Sequence, residues 1–203
     1  MPAGRPAPPG HSTLRRRLLI GGLVLAAPVV AAEPDRTQAA AGDPPAFVRR
    51  MLPDAALAGE GRLRFFGLRI YDARLWVGRR FDADDFGAYP LALELTYHRS
   101  FAGVDIAKRS IEEIEQQGGL MPGQALRWRK ELAGVLPDVQ PGDRLTGLYL
   151  PGRGMSVWRG PQLLGSIDDA ELARRFFGIW LSPRTSEPDL RGALLSHLAQ
   201  ARP

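Results

Sequence analysis

With 203 residues, 44% of them hydrophobic and 24% charged, the chain has the composition of an ordinary globular domain and enough apolar mass for one core. Its formal charge of +5 would suit a polyanion, but four of its 27 basic residues (Arg5, Arg15, Arg16, Arg17) precede the first acidic one, leaving 23 against 22 acidic residues, and no nucleic-acid partner is expected. Lack of cysteine excludes disulfides, thiolate metal sites and a cysteine nucleophile, and with only His11, His98 and His197 as imidazoles neither a metal site nor a cofactor is expected.

The first segment reads as an export signal. Arg15-Arg16-Arg17 precedes an uncharged stretch, Leu18 to Ala32, that ends in small residues before Glu33. Containing Gly21, Gly22 and Pro28, this stretch is shorter than the roughly 20 residues that span a bilayer, so no retained transmembrane anchor is expected. Residues 1–32 are therefore read as a cleaved signal peptide, 33–45 as a flexible leader rich in Ala, Asp and Pro, and 46–203 as one folded domain. The expected location is the periplasm or the exterior. Adjacent arginines before Leu18-Leu19 also fit a twin-arginine signal.

Within residues 62 to 77, Leu63, Phe65, Tyr71, Ala73, Leu75 and Val77 alternate with a mixed set, and Gly67 interrupts the run, which predicts paired or bent strands. Leu91, Leu93, Leu95 and Tyr97 alternate with Ala92, Glu94, Thr96 and His98, a strand with one wet face. From Val104 to Gln117 the period changes to that of an amphipathic helix, with Ala107, Ile111 and Ile114 on one stripe and Gly118-Gly119 as its end. A second helix is expected from Gln124 to Leu136. Three short strands follow at Arg144–Leu150, Gly154–Arg159 and Gln162–Ile167, separated by Pro- and Gly-rich turns. Asp168 or Asp169 caps a helix carrying Leu172, Phe176, Ile179 and Trp180, and Ser186 starts a last helix through Leu198. Strands grouped around helices indicate an α+β fold with an antiparallel sheet.

No serine-nucleophile motif, phosphate loop or dinucleotide fingerprint occurs. Asp84-Asp85 and Asp168-Asp169 sit where aspartates serve turns and caps. His98 lacks an acidic residue two or three positions away that could orient it as a base.

Four stretches in series, GEGRLRFFGLRIYDARLWVG, LTYHRSFAGVDIAKRS, VQPGDRLTGLYLPGRG and RRFFGIWLSPRTSEPDLRGALL, resemble the bacterial chalcone isomerase-like family. The resemblance implies an open-faced sandwich: a long antiparallel sheet covered on one side by helices, with a ligand cleft between. Family relatives include plant enzymes that close chalcones to flavanones and plastid proteins that bind fatty acids without catalysis. Aligned on IYDARLW, the plant threonine position falls on Tyr71, the arginine position on Gly59 with Arg62 and Arg64 nearby, the tyrosine near Ile106 and the lysine near Arg109. The plant catalytic set is thus not reproduced in register, and the catalytic residues stay unassigned.

A tyrosine with a nearby arginine is similar instead to the fatty-acid-binding relatives, where such a pair holds a carboxylate. The chemistry suits an amphipathic small-molecule ligand, because a guanidinium grips a carboxylate bidentately and a phenol donates one further hydrogen bond. Tyr71, Arg69, Arg62, Arg64, Tyr97 and Arg109 are the expected ligand-binding residues, with Arg69 on Tyr71's side of a regular strand. An isomerase or intramolecular lyase acting on a phenolic or lipid-like substrate, through Tyr71 with Arg109 or Arg99, is the alternative.

Overall fold

The computed structural model of the chain describes residues 43–200. The signal peptide read at 1–32, and all but the end of the leader read at 33–45, lie outside the described residues. Six strands, β1 (Ala56–Phe65), β2 (Leu68–Val77), β3 (Leu91–Tyr97), β4 (Arg144–Leu150), β5 (Gly154–Arg159) and β6 (Gln162–Ile167), form one antiparallel sheet in chain order. Around it lie α1 (Ala46–Met51), α2 (Gly103–Gln116), α3 (Gln124–Val135), α4 (Ala170–Leu181), α5 (Pro188–Leu194) and α6 (Ser196–Gln200). The architecture is the α+β open-faced sandwich. No described helix is long and apolar enough to cross a membrane.

Strand alternation sorts the side chains onto two faces. Ala73, Leu75, Leu93, Leu145, Val157 and their neighbours point towards α2–α6 and build the main core with Ile111, Ile114, Trp128, Leu132, Phe177 and Leu194. The opposite face holds Trp76, Ala92 and Leu148 beneath Phe47, Val48 and Leu52 of the α1 segment. The helical cover lies on one side as expected, with the short α1 segment packed on part of the second face. The wet face expected of β3 is dry: Ala92 is fully buried beneath α1, and Glu94 is 2% exposed.

Local chemistry sets the helix positions. Asp169 caps α4 by accepting from the Leu172 amide at 2.9 Å, and its other oxygen accepts from the Trp128 indole at 2.9 Å, which ties α3 to α4. On β1, Gly59 and Gly61 let α5 approach the sheet, because a Cβ at Gly59 would lie 2.3 Å from the Ala193 carbonyl oxygen. Ser186 does not cap the last helix as expected. Glu187 occupies that boundary, Ser186 turns towards α2, and Leu198 belongs to the separate α6.

β1 and β2 meet in a two-residue hairpin loop, Phe66-Gly67, closed by the Phe65–Leu68 pair. Both loop residues have positive φ, 47° and 78°, as a type I′ turn requires. Further along, Leu63 pairs with Tyr71 but Arg64 pairs with Arg69, so Ile70 is an extra residue on β2. This bulge decides which side chains reach the site.

Candidate functional site

Between the sheet and helices α2 and α4 lies a cavity of about 500 Å³, within the range of small-molecule sites. Its floor is Tyr71, Leu93, Leu95, Tyr97, Leu145, Gly147 and Val157, and its roof Ile106, Ser110, Phe176, Phe177 and Trp180. Gly147 adds no side chain where Phe177 comes down onto the sheet, with the ring 3.0 Å from where a Cβ would stand. Tyr71 and Tyr97 are cross-strand neighbours whose rings meet edge to face at 5.9 Å, and Phe101 continues the stack beyond Tyr97.

The polar end is built from β2, β3, α2, α4 and the segment before α5. The Trp180 indole donates to the Tyr71 hydroxyl oxygen at 2.9 Å. Among the described residues the Tyr71 proton itself has no acceptor, and the Tyr97 hydroxyl has no hydrogen-bond partner. Burial raises both phenols well above their usual range, for Tyr71 against the opposing effect of the Trp180 hydrogen bond. Both therefore stay protonated at neutral pH and can donate. Beside them Glu113, 8% exposed, accepts from Arg109 and, at 2.6 Å, from the Ser186 hydroxyl. Arg109 also donates to Glu112 at 3.2 Å. Glu187 completes the rim, its carboxyl pushed up first by burial and then by the negative charge of Glu113, with Arg109 pulling the other way.

Of the residues expected to bind ligand, the structure brings Tyr71, Tyr97 and Arg109 to the cavity and leaves Arg62, Arg64 and Arg69 outside it. The regular alternation that would put Arg69 beside Tyr71 is broken by the bulge, which turns Ile70 into the cavity wall and Arg69 into solvent. Arg62 faces the other side of the sheet. There it forms a bidentate pair with Asp72, whose second oxygen also accepts from His98 at 2.9 Å. His98 thus has an acidic partner after all, 26 residues away in sequence and one strand away in space. The Arg62 hydrogen bond is the chief reason the Asp72 carboxyl lies below its usual range. Arg99, the other arginine considered for catalysis, is exposed and does not line the cavity.

Sequence reasoning missed Trp180, Glu113, Ser186 and Glu187 as site residues. The Trp180 stripe reads as core, which it also is. The Ser186–Glu113 bond joins positions 73 residues apart and leaves no local mark. No group of three or more His, Asp or Glu residues suited to hold a metal ion occurs among the described residues.

The family model described as chalcone isomerase-like matches residues 56–196. An uncharacterized protein of Haemophilus influenzae is 35% identical over 106 residues, 52% of this chain and 52% of the relative, so the chain spans about half the length of that curated relative. Among solved structures, a fatty-acid binding protein of Arabidopsis thaliana is similar with a TM-score of 0.56 over 72% of this chain and 89% of that one. At 13% identity this is a likeness of fold.

Proposed function

Because this chain belongs to the chalcone isomerase-like family, we propose that it binds a small, mainly apolar molecule in the cavity between sheet and helices, without transforming it. The observation that carries the reading is the cavity itself: about 500 Å³ of apolar space ending at the unpaired Tyr71 proton. The fold shared with a fatty-acid binding protein supports the same class of ligand.

The head group is inferred from charge balance. Arg109 is the only basic side chain lining the cavity among the described residues, and it is already engaged by Glu112 and Glu113, with Glu187 beside it. A carboxylate placed there would meet the carboxyl groups of Glu113 and Glu187 and one neutralised guanidinium, at a cost that burial increases. The carboxylate ligand expected from the sequence is therefore replaced by a ligand whose head is an uncharged oxygen, such as an alcohol, ester or ketone, accepting from Tyr71.

Displacement of an environment-sensitive fluorophore by dodecanol and dodecanoate at pH 8 tests this. Dodecanol should bind about tenfold more tightly than dodecanoate, a difference of roughly 1.4 kcal/mol. Tyr71→Phe should weaken dodecanol binding by about 0.5–1.5 kcal/mol, the worth of one neutral hydrogen bond. If neither compound displaced the fluorophore, the binding reading would fail; if dodecanoate bound more tightly, only the head-group assignment would.

One observation favours the isomerase alternative. Glu187, with a raised carboxyl close to Tyr71 in a cavity, is the kind of group that can carry a proton. Against it stands the absence of the plant catalytic set in register, and chalcone mixed with the protein should cyclise no faster than spontaneously. Export to the periplasm remains part of the proposal, supported by Arg15-Arg16-Arg17 ahead of Leu18 to Ala32. Sequencing the amino terminus of the exported protein tests it; a chain starting at Met1 or Pro2 would contradict it.

A further inference from the structure

The β1–β2 hairpin breaks three rules of fold stability at one place. Phe66 is 90% exposed and sits at φ 47°, a conformation that disfavours a bulky side chain and suits asparagine or glycine. Phe65 and Leu68, which close the loop, are 56% and 51% exposed, so the tip carries three large apolar side chains in water. Behind them Arg64 and Arg69 are directly opposed across the strands, both exposed and neither with an acidic partner among the described residues. Like charges in that position repel. Arg99 joins the same end of the sheet, since it follows His98, whose amide donates to the Ile70 carbonyl.

Strain and exposure concentrated at one tip point to a role outside the fold. Aromatic side chains backed by arginines match the boundary of a bilayer with anionic head groups, where rings sink below the phosphates and guanidinium groups stay among them. We propose that this hairpin docks on an anionic lipid surface, with Phe65, Phe66 and Leu68 inserted and Arg64, Arg69 and Arg99 on lipid phosphates. Phe65 and Ile70 also line the cavity, so docking there sets its entrance against the acyl layer. That last consequence rests on the proposed binding function; the docking itself does not.

The chain has no cysteine, so single labelled positions can be introduced without background. In the full chain, Leu68→Cys at the tip and Arg153→Cys in the β4–β5 turn at the opposite end of the sheet carry an NBD fluorophore. They are mixed with phosphatidylcholine vesicles with and without phosphatidylglycerol. The label at position 68 should brighten and shift to the blue with the anionic vesicles, less with the neutral ones and less again at high salt, while the label at position 153 stays as in water. Adding Phe66→Asn should lower the partition of the tip about tenfold while the melting temperature holds or rises, because asparagine relieves the turn. Ligand displacement without vesicles should be unchanged by Phe66→Asn, which separates failure of docking from failure of ligand binding. A tip label that stays in water with anionic vesicles, or Phe66→Asn that partitions like the parent, would overturn the proposal.

Discussion

The two faces of the sheet are made from the same strands yet handle polarity in opposite ways. On the face away from α2–α6, polar side chains pair with one another in the plane of the sheet: Asp72 with Arg62 and His98, Arg74 with Glu60 at 3.0 Å, Arg144 with Glu94 at 3.7 Å. On the helix-covered face the strands contribute no charge to the cavity, and its polar groups are the tyrosine hydroxyls of the floor and a rim supplied by α2 and the segment before α5. The difference follows from desolvation. The half-exposed pairs Arg62–Asp72 and Arg74–Glu60 keep much of their water and cost little, whereas Glu94 is desolvated and a strand charge beneath the helices would be stripped of water with no partner opposite. The arginines that alternation could have offered to a ligand are spent on the open face or at the hairpin tip.

The largest loss of stability is expected on the covered side, away from the cavity. Trp128 is fully buried and its indole anchors Asp169, so Trp128→Ala should cost about 3–5 kcal/mol in denaturant unfolding. A loss below about 1 kcal/mol would mean that α3 is not integral to the core.

Filling the cavity should separate binding from stability. Ile106 is only partly buried and lines the cavity, so Ile106→Trp should weaken dodecanol binding about tenfold or more, while the melting temperature stays near that of the parent. A comparable loss of binding in Arg69→Ala, which lies outside the cavity, would show the polar end to be misplaced.

The smallest effects belong to the open face and carry opposite signs with pH. Asp72 has a folded carboxyl held low by Arg62 and His98, so it contributes stability above the unfolded carboxylate range of about pH 4, lost as pH falls through the lower folded value. Asp72→Asn should therefore destabilise at neutral pH and have little effect in strong acid. Glu94 is the reverse: burial raises it despite Arg144 and Arg74, and one of its oxygens has no partner. Its contribution is present below the unfolded value and lost as pH rises through the folded one, so Glu94→Gln should gain stability at pH 8 and lose that advantage near pH 4. Urea unfolding at the two pH values reads both.

How much of this was legible in the chain differs between fold and site. Periodicity and punctuation located the strands from Arg144 to Ile167 and helices α2, α3 and α4 closely, because Pro151-Gly152, Gly160-Pro161 and Gly118-Gly119 stop the elements locally. Tyr71 and Tyr97 share the cavity because strict alternation holds through their β2–β3 register. Arg69 was misplaced because a bulge leaves no local signature, and one inserted residue reverses every later side chain. The dryness of Ala92 and the pairing of His98 with Asp72 depend on what α1 covers and on which strand lies alongside, neither of which a periodicity carries.

Ligand should enter the covered face of the sheet and not the open one. Titrating methyl-labelled protein with ¹³C-dodecanol and recording intermolecular NOEs distinguishes the two faces. Contacts are predicted to Leu95 and Val157, which line the cavity, and none to Ala92 and Leu148 on the other face of the sheet. NOEs confined to Ala92 and Leu148, or dodecanol that saturates the protein without touching Leu95 or Val157, would contradict it.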